Sequence, residues 1–175
     1  MGHDMNRLAS QAKTLEPEPI TSPTLLLVDR SADFLNLWKA RLRGQGFRIL
    51  TARGSSEALH LARLHQASLL GAIIDLILTP TSLRIAPSKC TETRVHGDRL
   101  AELIRQHYPT VSILLTSALS EREMVRHGIH LPTTKRFPFL RKPIDENELQ
   151  VALHAIVAAR TTSTVPGHTA ARSAA

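Results

Sequence analysis

Three short stretches of this chain are apolar at almost every position: Thr24-Leu25-Leu26-Leu27-Val28, Leu69 to Leu76, and Val111 to Leu115. A strand with one wet face alternates apolar and polar residues, so unbroken apolar runs of this length mark strands buried on both faces. Two covering layers are then needed, and the segments between the runs have the helical spacing to supply them. Phe34, Leu35, Trp38 and Leu42 recur at helical intervals after Ser31 or Asp33 as cap, and Gly44 and Gly46 stop that helix. Ser55-Ser56-Glu57 opens a second helix, with Ala58, Leu59, Ala62 and Leu64 along one side. Gly97 to Tyr108 forms a third with Leu100, Leu103 and Ile104 inward, and Pro109 ends it. Ser120 to His127 gives a short fourth, and Asp145 to Arg160 a last one carrying Leu149, Leu153 and Ile156. Phe47 to Thr51 and Phe139 to Arg141 complete the strands.

Five strand–helix repeats with right-handed crossovers predict an α/β fold: a five-stranded parallel sheet with helices on both faces, doubly wound. At 175 residues, of which 42% are hydrophobic, the chain is long enough for one domain with a real core. That domain is expected over residues 23–160. Residues 1–22, with the stiff Glu16-Pro17-Glu18-Pro19, and residues 161–175 lack apolar periodicity and are expected as flexible tails. No apolar run reaches the ~18 residues of a membrane helix, and Met1 to Arg7 has no secretory signal, so a cytoplasmic protein with no membrane partner is expected.

The net charge of +7 invites a nucleic-acid reading, but the cations are scattered from Arg7 to Arg172. Aromatics make up only 3%, too few for a stacking platform, so nucleic acid is not an expected partner. Cys90 is the single cysteine, which excludes an internal disulfide and a cysteine-rich zinc site. The histidines form no HExxH pair; His60 and His65 are five apart, and His107, His127 and His130 read as solvated.

In open parallel sheets, chemistry gathers at the carboxyl ends of the strands. There the sequence has Asp29 after strand one, Asp75 in strand three, Thr116 after strand four and Lys142 after strand five. A carboxylate can accept a phosphoryl group if cations offset the incoming charge, a second carboxylate can help hold Mg²⁺, and a hydroxyl and an ammonium can bond phosphoryl oxygens. A static ion network of Asp29, Asp75, Lys142 and Arg30 is the purely structural alternative.

Leu26-Leu27-Val28-Asp29, Ala72-Ile73-Ile74-Asp75-Leu76, Gly97-Asp98-Arg99-Leu100, Ile113 to Ala118 and Phe139-Leu140-Arg141-Lys142-Pro143 together resemble the receiver domain of bacterial two-component response regulators. The resemblance spans roughly residues 23–160 and implies the flavodoxin-like (βα)5 fold. It implies Asp75 as phosphoacceptor, served by a histidine kinase or phosphotransfer protein. Lys142 and Thr116 would bind the phosphoryl group, with Ser117 a close rival of Thr116. Phe139 would be the switch aromatic. Mg²⁺ would be held by Asp29, Asp75 and the Ile77 backbone carbonyl. It implies a signalling module rather than an enzyme, a stand-alone receiver acting on a downstream protein, and a homodimer through the last helices and strands. An aspartyl phosphatase of the haloacid dehalogenase type would want a second Asp where Ile77 stands.

Two departures bear on function. Receivers carry paired acids after strand one, whereas here the pair is Asp29-Arg30. The arginine removes an oxygen ligand and repels Mg²⁺. Either its guanidinium lies toward Asp29 and Asp75 as a partial stand-in for the metal, giving a degenerate receiver that signals without phosphorylation, or it points to solvent and Asp29 still holds metal. Second, Thr79 to His96 makes the loop after strand three about a dozen residues too long. It is a lid or partner-binding arm with Arg84, Lys89 and Arg94, or a tolerated insertion.

Overall fold

The computed structural model describes residues 22–78, 96–129 and 136–162. The expected tails, the 79–95 stretch with Cys90, Arg84, Lys89 and Arg94, and His130 lie outside the described residues, save the tails' inner ends. The elements run β1 (Thr24–Val28), α1 (Ala32–Gly44), β2 (Arg48–Ala52), α2 (Ser55–Leu64), β3 (Leu69–Asp75), α3 (Gly97–His107), β4 (Ser112–Ser117), α4 (Glu121–Arg126), β5 (Phe139–Arg141) and α5 (Glu146–Thr162).

All strand pairs are parallel, in the order β2-β1-β3-β4-β5. Side chains alternate across the pleat and so sort the core into two halves. Leu26, Val28, Ala72, Ile74, Ile113 and Leu115 meet Ala58, Ala62, Leu100, Ile104 and Met124 from α2, α3 and α4. Leu25, Leu27, Ile73 and Leu114 meet Leu35, Trp38, Leu42, Leu149, Leu153 and Ile156 from α1 and α5. β1 and β3 are buried at every position, which is why they read as continuous apolar runs. β2 lies at the edge with a mixed pattern, and it was correspondingly fainter in the sequence.

Local chemistry sets the helix ends. Ser31 caps α1, its hydroxyl accepting from the Phe34 amide, and Ser120 and Glu123 form a reciprocal capping box on α4. α1 and α4 both close with a 6→1 and a 5→2 backbone bond around a glycine at positive φ, Gly46 at 87° and Gly128 at 73°.

Several boundaries differ from expectation. β4 begins at Ser112 and continues to Ser117, because Thr116 and Ser117 pair with Asp75 and Arg141; Thr116 therefore lies within the strand, not after it. Leu64, expected on the inward side of α2, is 58% exposed. It stands two residues, about 200°, from the buried Ala62 and so faces the other way. The last helix runs two residues past Arg160, to Thr162. As expected, Trp38 is buried and His107 and His127 are exposed. Among the described residues, no helix is long and apolar enough to cross a membrane.

Candidate functional site

From β1 the chain passes to β2 on one side and later to β3 on the other, so the strand order reverses between β1 and β3. Loops leaving neighbouring strands in opposite directions open a crevice at that point. Asp29 follows β1 and Asp75 ends β3, which sets both carboxylates beside the crevice, 2% and 5% exposed.

Each carboxylate is anchored through one oxygen by its own loop. Asp29 Oδ1 accepts from the Ser31 amide at 2.8 Å, and Asp75 Oδ2 accepts from the Ile77 amide at 3.0 Å. The remaining oxygens share one cation. Lys142 Nζ donates to Asp75 Oδ1 at 2.7 Å and to Asp29 Oδ2 in a short ion pair. Lys142 reaches them because its own amide donates to the Ser117 carbonyl at 2.8 Å, which extends the β4–β5 pairing by one residue. The ammonium also stands over the Phe34 ring, 4.2 Å from its centre. Burial pushes the Asp75 carboxyl above its ordinary value of 3.8; the Lys142 hydrogen bond and charge oppose the rise, and the Asp29 charge adds to it.

The structure thus brings together Asp29, Asp75 and Lys142, with Thr116 and Ser117 at the adjoining strand end. Thr116 is register partner of Asp75, and its carbonyl accepts from the Leu76 amide at 2.9 Å. The Ser117 hydroxyl accepts from the Leu119 amide at 3.1 Å. Both residues are 1% exposed. Phe139 starts β5 and is 37% exposed, and Val125 of α4 is exposed as well.

Arg30 is not brought in. Its side chain is exposed, it makes no ion pair among the described residues, and its carbonyl accepts from the Arg53 guanidinium at 3.2 Å. The expectation of a guanidinium against Asp29 and Asp75 is therefore corrected: Lys142 holds that position. Lys142 arrives from the end of β5 and bonds both buried acids, so the place between them is already taken, while Arg30 keeps its guanidinium in water.

The donor set can be weighed against Mg²⁺, which takes oxygen ligands in near-ideal octahedral geometry. Among the described residues no group of three or more His, Cys, Asp or Glu side chains could hold a metal ion. Two carboxylates are present, both already bonded to Lys142 and a backbone amide, and the next residue after Asp29 is an arginine. These residues do not fit a firm Mg²⁺ site.

Sequence reasoning passed over Phe34 as a site residue, treating it only as part of the α1 apolar spacing. Its place in the first turn of α1, five positions after Asp29, was the available signal, since side chains of a first turn lean back toward the preceding strand end.

Neither a family model nor a curated protein sequence matches the chain. Solved structures do. The signal receiver domain of an HD domain-containing protein from Pseudomonas fluorescens Pf-5 is 22% identical with a TM-score of 0.61, covering 81% of this chain and 98% of that one. A response regulator receiver domain protein from Clostridium thermocellum is 20% identical with a TM-score of 0.59, covering 81% and 96%. A BeF3-activated DrrB receiver domain is 17% identical with a TM-score of 0.56, covering 78% and 98%. With its strand order, its two helical layers and its acid pair at the switch point, the chain has the CheY-like, flavodoxin-type fold of response regulator receiver domains.

Proposed function

We propose that this protein is a receiver module of two-component signalling, in which Asp75 accepts a phosphoryl group from a histidine kinase or phosphotransfer protein and the result is passed on by protein contact. The observation that carries this reading is the Lys142 ammonium bonded to both Asp29 and Asp75 at the switch point of the sheet. In the transfer, an Asp75 carboxylate oxygen forms a bond to phosphorus while the phosphorus–nitrogen bond of the donor phosphohistidine breaks, its electron pair returning to the imidazole. Lys142 then trades its bond to Asp75 for bonds to phosphoryl oxygens, and the Thr116 or Ser117 hydroxyl donates to another. Phe139 and the exposed α4 surface follow the change. The module acts in the cytoplasm and is not itself an enzyme.

The departure at Arg30 favours a second reading. With two carboxylates instead of three and a cation next to Asp29, the site lacks the ligands for firm Mg²⁺ binding. A degenerate receiver, acting through protein contacts without phosphorylation, would have this composition.

Reductive trapping separates the two. Treatment with acetyl phosphate followed by borohydride converts an aspartyl phosphate to homoserine, and peptide mapping reads which residue changed. Homoserine at position 75 supports the phosphoacceptor; its absence from folded protein at high phosphodonor, with partner binding intact, supports the degenerate receiver.

A further inference from the structure

The Lys142 ammonium is bonded to two carboxylates and also stands over the Phe34 ring, 4.2 Å from its centre. A lysine ammonium within about 6 Å of a ring centroid is drawn to the negative face of the ring. The Lys142 side chain is only 17% exposed, so its ammonium has few water neighbours to compete with the ring. The ring is itself held. It is half-buried and packs against the α1–α5 half of the core, and it meets the ring of Trp38 one turn later at 5.8 Å. Its amide donates to the Ser31 hydroxyl at 3.3 Å, and the Ser31 amide donates to Asp29 Oδ1 at 2.8 Å. Asp29, Ser31, Phe34 and Lys142 therefore close a circuit: the residue that caps α1 ties one acid to the ring that seats the lysine bonded to that same acid.

We infer that Phe34 is the positioning residue of this site: its ring face aims the Lys142 ammonium at Asp75. Lysine carries a flexible four-carbon stem with three rotatable donors. Two acids alone fix where the nitrogen sits, not the side from which it approaches, and the ring removes the solvent-facing alternatives. This deepens, and rests on, the reading of Asp75 as phosphoacceptor. Trp38, the single tryptophan, stands behind Phe34 and is 6% exposed, so its emission checks that α1 is packed in every variant.

The test uses the full chain with Phe34→Leu and Phe34→Tyr and two readouts. In the first, the Lys142 ε-methylene proton shifts are measured by NMR. The face of an aromatic ring shields nearby protons, so wild type and Phe34→Tyr should show an upfield shift that Phe34→Leu loses. In the second, phosphorylation by acetyl phosphate is followed by intact mass over a range of donor concentrations. Phe34→Leu should be slower by roughly tenfold, mostly in half-saturation for the donor, with Phe34→Tyr restoring the rate to within about threefold. An unshifted Lys142 methylene in wild type, or Leu and Tyr variants that behave alike in both readouts, overturns the proposal. If wild type takes no phosphoryl group at all, the phosphoacceptor reading fails, and the ring-shift comparison decides the role of Phe34 by itself.

Discussion

Gly97 lies so close to Asp75 that a methyl group built on it would stand 2.1 Å from the Asp75 carbonyl oxygen. Its amide also donates to the Leu76 carbonyl at 3.0 Å. The first residue of α3 is thus clamped on the end of β3, and the described chain on the two sides of residues 79–95 meets directly. Gly97→Ala should force backbone apart and destabilise the fold by about 1–3 kcal/mol, the usual range for overpacking. Urea unfolding measures this; a stability equal to wild type would show that α3 is free to back away from the site.

Removing Lys142 strands two buried carboxylates beside each other. Lys142→Ala should lose about 3 kcal/mol at neutral pH, the low end for a broken buried ion pair because the lysine is partly exposed. The penalty should shrink as the medium is acidified and Asp75 takes a proton. A loss that is constant with pH would mean the lysine supports the fold by packing alone.

Burial raises the Asp75 carboxyl in the folded state above its unfolded value of 3.8, so the folded protein holds this proton more tightly. Ionised Asp75 is then a cost to folding at neutral pH. Between 3.8 and the raised folded value the cost fades as pH falls, because the folded state binds more protons than the unfolded one. Asp75→Asn removes the titrating group, so it should raise Tm at pH 7. The advantage should vanish as the pH approaches 3.8. Thermal unfolding of both proteins across that window checks the sign, and an Asn variant less stable than wild type at pH 7 would contradict it.

The fold was legible because burial on both faces leaves continuous apolar runs, and β1, β3 and most of β4 announced themselves that way. The positions of Asp29, Asp75 and Lys142 at strand ends followed from the order of the elements. What the sequence could not convey was which cation would fill the space between the acids. Arg30 is adjacent to Asp29 in the chain, yet Lys142, 113 residues away, reaches both carboxylates because β5 pairs with β4 at the right register. Phe34 was hidden for a related reason: its helical spacing described the face it buries against α1's neighbours, not the lysine that arrives over its ring from another strand.

Arg30→Asp restores a third carboxylate next to Asp29 and removes a cation from the rim. Calorimetric titration should then detect Mg²⁺ at least about tenfold more tightly than in wild type, because the change adds an oxygen ligand and removes a like charge. Equal affinity in the two proteins would mean that Arg30, exposed as it is, has no bearing on metal at this site.

The most direct measurement is intact mass of wild type and Asp75→Asn after exposure to acetyl phosphate, with and without Mg²⁺. The account predicts one labile phosphoryl adduct on wild type and none on Asp75→Asn. No adduct on folded wild-type protein under either condition, or an equal adduct on the Asn variant, would contradict the assignment of Asp75 as the phosphoacceptor.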